Sequence, residues 1–69
     1  MDIKKQVKIA LATKDMSMKE LTEILHKKYN RSPNSQILGR KLINDTIRYK
    51  EALEIADVLG FEITWNEKN

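Results

Sequence analysis

One proline and two glycines in 69 residues leave little room for loops, and this constrains the fold more than any other feature of the chain. Proline interrupts helices and glycine permits left-handed turns. A chain poor in both is expected to run as a few helices with short connections. No cysteine is present, so neither a disulfide nor a thiolate metal site can brace it. A chain of this length buries only about 60% of its unfolded surface, which points to one small domain over residues 1–69. Its 41% apolar and 33% charged residues fit a folded domain better than a disordered one. The apolar runs fall far short of the roughly 20 residues that span a bilayer, and no signal-peptide pattern opens the sequence. A soluble, cytoplasmic protein with no membrane partner is the expectation.

Periodicity divides the chain. Ile3, Val7, Ala10 and Leu11 recur at helical spacing and predict a helix over about 2–14. Asp15, Met16 and Ser17 connect it to the next. Ser17 and Glu20 have capping-box spacing, and Met18, Leu21, Ile24 and Leu25 form the stripe of a helix over about 18–28. The strongest break is Asn30-Arg31-Ser32-Pro33-Asn34, after which Ser32 or Asn34 can cap a short helix over about 35–42 with Leu38 and Leu42 inward. Asn44-Asp45-Thr46 reads as a turn. Tyr49, Ala52, Leu53, Ala56 and Leu59 mark a helix over about 49–59, closed by Gly60. Leu21, Leu38 and Leu53 are expected to meet in the core. Phe61 to Trp65 alternates apolar and polar residues and predicts one β-strand over about 61–65. The fold class expected is all-α, four helices with a short C-terminal strand.

Charge is unevenly spread along this frame. Residues 27–50 carry seven basic side chains (Lys27, Lys28, Arg31, Arg40, Lys41, Arg48, Lys50) against Asp45, which is +6; residues 1–26 sum to +1 and residues 51–69 to −4. A central segment so basic attracts a polyanion, and the acidic end would be repelled by one. The acids Glu20, Glu23, Glu51, Glu54 and Asp57 read as solvated helix faces. Nothing points to catalysis: there is no cysteine, one histidine (His26), and no glycine-rich phosphate loop. The expectation is therefore no enzyme, no catalytic or metal-binding residue, no cofactor and no small-molecule ligand. His26 reads as a cap or surface group, and Tyr29, Tyr49, Phe61 and Trp65 as packing groups.

The run Met16-Ser17-Met18-Lys19-Glu20-Leu21 resembles the start of the first motif helix of the lambda-repressor-like (Cro-type, Xre) helix-turn-helix family. Ser35-Gln36-Ile37-Leu38-Gly39-Arg40-Lys41-Leu42 resembles its recognition helix, and Thr46 to Ile63 its following helix and tail. Three departures stand out. Thr22 and His26 occupy positions where that family has Ala and Gly, and about six residues are inserted around 27–33. The insertion reads as an extra turn on the second helix plus a longer connection.

The resemblance implies a sequence-specific regulator of transcription on double-stranded DNA, acting as a repressor by occupying an operator. In that setting Gln36 and Arg40, one turn apart on the outer face of the third helix, are the candidate base readers: Gln pairs bidentately with adenine and Arg with guanine. Ser35 joins them at the helix start, and Gly39 permits close approach to the groove. Asn34, Lys41, Thr46, Arg48 and Lys19 are the expected contacts to the DNA backbone. For assembly, two alternatives stand side by side. The 61–65 strands of two copies pair into a homodimer, or Phe61 and Trp65 fold back on the first and fourth helices of a monomer. The other functional reading is a protein-interaction module of the same fold that recruits or antagonises another regulator without binding DNA.

Overall fold

The computed structural model describes residues 3–63, and its elements are four α-helices in succession. They are α1 (Ile3–Thr13), α2 (Met18–Tyr29), α3 (Ser35–Ile43) and α4 (Tyr49–Leu59). Each begins within two residues of the expected start, because each start carries a signal the backbone uses. Ser17 Oγ accepts from the Glu20 amide at 3.1 Å while the Glu20 carboxylate accepts from the Ser17 amide at 3.2 Å, a complete capping box. Asn34 Oδ1 accepts from the amides of Gln36 and Ile37 at 2.9 and 3.3 Å and caps α3.

The ends share a device. At α1, α3 and α4 a left-handed residue (Asp15, Asp45 and Gly60, φ +51°, +55° and +76°) is followed by an amide that reaches back five residues. These closures are Met16 to Leu11, Thr46 to Lys41 and Phe61 to Ala56, at 2.9, 2.9 and 2.8 Å. Only the glycine announces itself in the sequence, since Asp and Asn tolerate this conformation without requiring it. α2 ends at Asn30, also left-handed at φ +57°.

All four helices contribute to one core: Val7, Ala10 and Leu11, Leu21 and Leu25, Leu38 and Leu42, Ile55 and Leu59. α4 packs against α1 and α2, and α3 against α1 and α2. Thr22 is buried with this set; its hydroxyl donates to the Lys19 carbonyl at 2.9 Å, so the polar group carries no penalty.

Three expectations require correction. Leu53 is 41% exposed and Ile55 is the core residue of α4. In this orientation Ala52, Ile55 and Leu59 face inward and the buried Glu54 is turned toward Arg31. Ile24 and Tyr49 are likewise exposed. The expected strand is not formed at Phe61–Ile63, and no strand occurs among the described residues. The Phe61 amide is committed to the Ala56 carbonyl, and its ring lies under Lys14 Nζ, 5.8 Å from the centroid. Thr64 and Trp65, the rest of that strand, lie outside the described residues. No helix among the described residues is long and apolar enough to cross a membrane.

Candidate nucleic-acid interface

The recognition-helix candidate, α3, is two-sided as the spacing requires. Leu38 and Leu42 are buried at 8% and 5% exposure, and Gln36 and Arg40 are exposed. Apart from its chain neighbours and the backbone of its own helix, a methyl group added at Gly39 would meet no described atom within 4 Å. The glycine is therefore not demanded by internal packing, and the space it leaves open lies outside the helix. Ser35 is half-buried at the first turn. Ile37 stays exposed and borders a small cleft of about 60 Å³ beside Ser32 and Asn34.

The backbone-contact candidates separate into two groups. Lys19, Thr46 and Arg48 are exposed, at the start of α2, in the α3–α4 turn and at the N-cap of α4. Asn34 and Lys41 already have work inside the protein. The Asn34 carbonyl oxygen is the α3 cap, and Lys41 Nζ lies 3.0 Å from Glu51 Oε2.

Lys41 belongs to a larger pattern. Three of the seven cations of the basic segment reach acids on α4: Lys28 to Asp57 at 2.6 Å, Arg31 to Glu54 at 2.7 Å, and Lys41 to Glu51 at 3.0 Å. Arg31 is bidentate, its second guanidinium nitrogen donating to the other Glu54 oxygen at 2.9 Å. Tyr29 adds its hydroxyl to Asp57. The acids are three residues apart on one face of α4, and partners further along the basic segment meet acids earlier in the helix, as an antiparallel approach dictates.

These contacts shift protonation. Hydrogen bonds from Arg31 hold the Glu54 carboxyl below its ordinary value, with the guanidinium charge adding to the effect. Asp57 is likewise held down, by Lys28 first and Tyr29 second. The same partnership raises Lys28 and Tyr29, each chiefly through its hydrogen bond to Asp57.

Residues 27–33 form the last turn of α2 and the start of the connection to α3. α2 runs on past His26 to Tyr29, and Asn30 closes it. His26 takes part in the connection, with Nδ1 2.8 Å from the Arg31 carbonyl. Glu51, Glu54 and Asp57, expected to be solvated helix faces, are the ion-pair partners that sequence reasoning missed, whereas Tyr29 packs against the core as expected. A signal was present: Lys28 and Arg31 repeat the three-residue spacing of Glu54 and Asp57. Among the described residues no group of His, Asp or Glu is placed to hold a metal ion. Comparison with protein-family models, with curated proteins and with solved structures gave no match to this chain.

Proposed function

We propose that this protein binds duplex DNA in a sequence-specific way through α3 and acts as a transcriptional repressor by occupying its site. One observation carries the reading. After the α4 acids have taken up Lys28, Arg31 and Lys41, Arg40 and Arg48 make no ion pair among the described residues. Arg40 stands with Gln36 and the open side of Gly39 on the outer face of a capped helix whose inner face is the core. A helix so held can enter a major groove, where Gln36 and Arg40 offer bidentate donors and acceptors to base edges. Thr46 and Arg48 serve as contacts to the DNA backbone beside the site. A module this small makes a small interface, so the proposal includes a second copy of the chain on a second half-site.

The test is selection of binding sites from random duplex DNA, followed by titration of the selected site over a range of salt. The expected result is tight binding whose logarithm falls linearly with the logarithm of salt, with a slope of about −0.9 per phosphate neutralised. Arg40→Glu should lose the selected site while melting as the unaltered chain does. Loss of one good base contact alone removes roughly 1–3 kcal/mol of discrimination.

The second reading, an interaction module without DNA affinity, is favoured by a separate observation. An apolar groove of about 420 Å³ lies between α1 and α4, and Ile9 and Phe61 beside it are 50% and 42% exposed. Absence of salt-dependent duplex binding, measured against a charge-matched control protein, would favour that reading.

A further inference from the structure

We infer that Lys41 and Glu51 are positioning residues that hold the recognition helix and the following turn as one joint, and that Lys41 is not itself a phosphate contact. This assignment rests on the duplex-DNA reading above and deepens it.

Three hydrogen bonds define the joint. Lys41 Nζ donates to Glu51 Oε2 at 3.0 Å, the Arg48 amide donates to Glu51 Oε1 at 3.4 Å, and the Thr46 amide donates to the Lys41 carbonyl at 2.9 Å. The chain leaves α3, turns through Asp45 at φ +55°, and enters α4 at Arg48. One carboxylate, in the first turn of α4, then grips both ends of that path. Gln36 and Arg40 ride on the helix at one end, and Thr46 and Arg48 occupy the turn. Base reading and backbone anchoring are thus referred to the same residue.

Burial argues against a dual role for Lys41. The Glu51 side chain is 12% exposed and Lys41 41% exposed. Were the ammonium to leave for a phosphate, a largely buried carboxylate would lose its cation and face a polyanion at the same time. Leaving a mostly buried carboxylate without its cation is the costly direction, even though the Lys41 end of the pair is itself half-exposed. Arg40 and Arg48 have no such obligation. The charge available to DNA in residues 27–50 is correspondingly smaller: seven cations less the three paired with α4, set against Asp45, leave +3 in place of +6.

The experiment is a double-mutant cycle on the full chain with Lys41→Met, Glu51→Gln and both together. Glu51→Gln retains an oxygen for the Arg48 amide while removing the charge. Thermal melting, affinity for the selected and for random duplex, and the salt slope are read for each. The expected result is that both single variants weaken the selected site by a similar factor and narrow its advantage over random duplex. The double variant should be no weaker than the weaker single one, and the Lys41→Met salt slope should equal that of the unaltered chain. Lys41→Arg, which keeps the pair, should restore the preference. A Lys41→Met slope shallower by about 0.9, the signature of one lost phosphate contact, would overturn the assignment while leaving the DNA reading standing. If Lys41→Met does not fold, Glu51→Gln decides alone: weaker selected binding supports the joint, and unchanged or tighter binding overturns it. An unaltered chain that binds no duplex at any salt overturns the DNA reading and this assignment together.

Discussion

Along the side of α4 that meets α2 and the connection to α3, charged groups close the seam; along the side that meets α1, apolar groups leave it open. On the first side Asp57, Glu54 and Glu51 receive Lys28, Arg31 and Lys41, and the cleft there holds only about 60 Å³. On the second, Ala52, Ala56 and Leu59 face Val7 and Ala10 across a groove of about 420 Å³. Apolar contact is non-directional and tolerates sliding, whereas a bidentate Arg–carboxylate pair fixes distance and orientation together. The seam beside α3, the helix proposed to read DNA, is the one built from directional contacts. Part of the charge asymmetry in the sequence therefore serves the architecture.

The largest effect expected tests whether both seams depend on one core. Ile55 is 3% exposed and belongs to the buried cluster shared by all four helices. Ile55→Ala should cost about 2–5 kcal/mol, a large share of what a domain of this size has. Thermal and denaturant melting check this. A variant that melts like the unaltered chain would mean that the two seams hold the molecule without their common centre.

The next prediction compares the seams directly. Arg31→Met leaves the buried Glu54 carboxylate without its bidentate partner, whereas Ile9→Ala trims a half-exposed side chain, worth about 1 kcal/mol. The melting temperature should fall further for Arg31→Met. The reverse order would show that the ion pairs accompany the α2–α4 seam without holding it.

Acid should act on one seam only. Glu54 and Asp57 titrate below their ordinary values in the folded protein because Arg31, Lys28 and Tyr29 bond their charged forms. As pH falls, the unfolded chain takes up protons first, at about pH 4, so folded stability is fully present above about pH 5. It is lost progressively as pH drops toward the folded values of these carboxyls. Melting temperatures at pH 7, 4 and 3 should decline for the unaltered chain and decline less for Glu54→Gln combined with Asp57→Asn. Equal declines would place the acid sensitivity elsewhere.

The sequence showed the helices because their signals are local. The Ser17–Glu20 box, the Asn34 cap, the Gly60 terminator and the Leu38–Leu42 spacing each act within one turn, and all four are seen. The ion pairs left only a faint trace, the three-residue spacing that Lys28 and Arg31 share with Glu54 and Asp57, because Arg31 and Glu54 are 23 residues apart and a charged helix face looks solvated until a partner helix is laid against it. The expected strand failed for a related reason: alternation at Phe61–Ile63 suits a strand only where a neighbouring strand exists, and the Phe61 amide is instead used to end α4. The candidate base readers were legible because Gln36 and Arg40 follow from the position of two leucines. The Lys41–Glu51 pair was not legible, because the acceptor lies on the next helix.

The smallest effect expected comes from the position where the sequence pattern was ambiguous. α4 is apolar at residues 52, 53, 55, 56, 58 and 59, and a stripe through Tyr49, Ala52, Leu53, Ala56 and Leu59 has spacing as regular as the one through Ala52, Ile55 and Leu59. Periodicity alone does not choose between them. In the fold Ile55 is taken into the core, Glu54 meets Arg31 and Leu53 is left 41% exposed. Leu53→Ala should therefore cost less than about 1 kcal/mol, since the part of the side chain it loses is largely in water and alanine is the best helix former. Set beside Ile55→Ala in the same melting experiment, it measures which face of α4 is turned to the core. Should the two substitutions cost the same, Leu53 would be a core residue in solution, and the Arg31–Glu54 pair would have to be displaced to allow it.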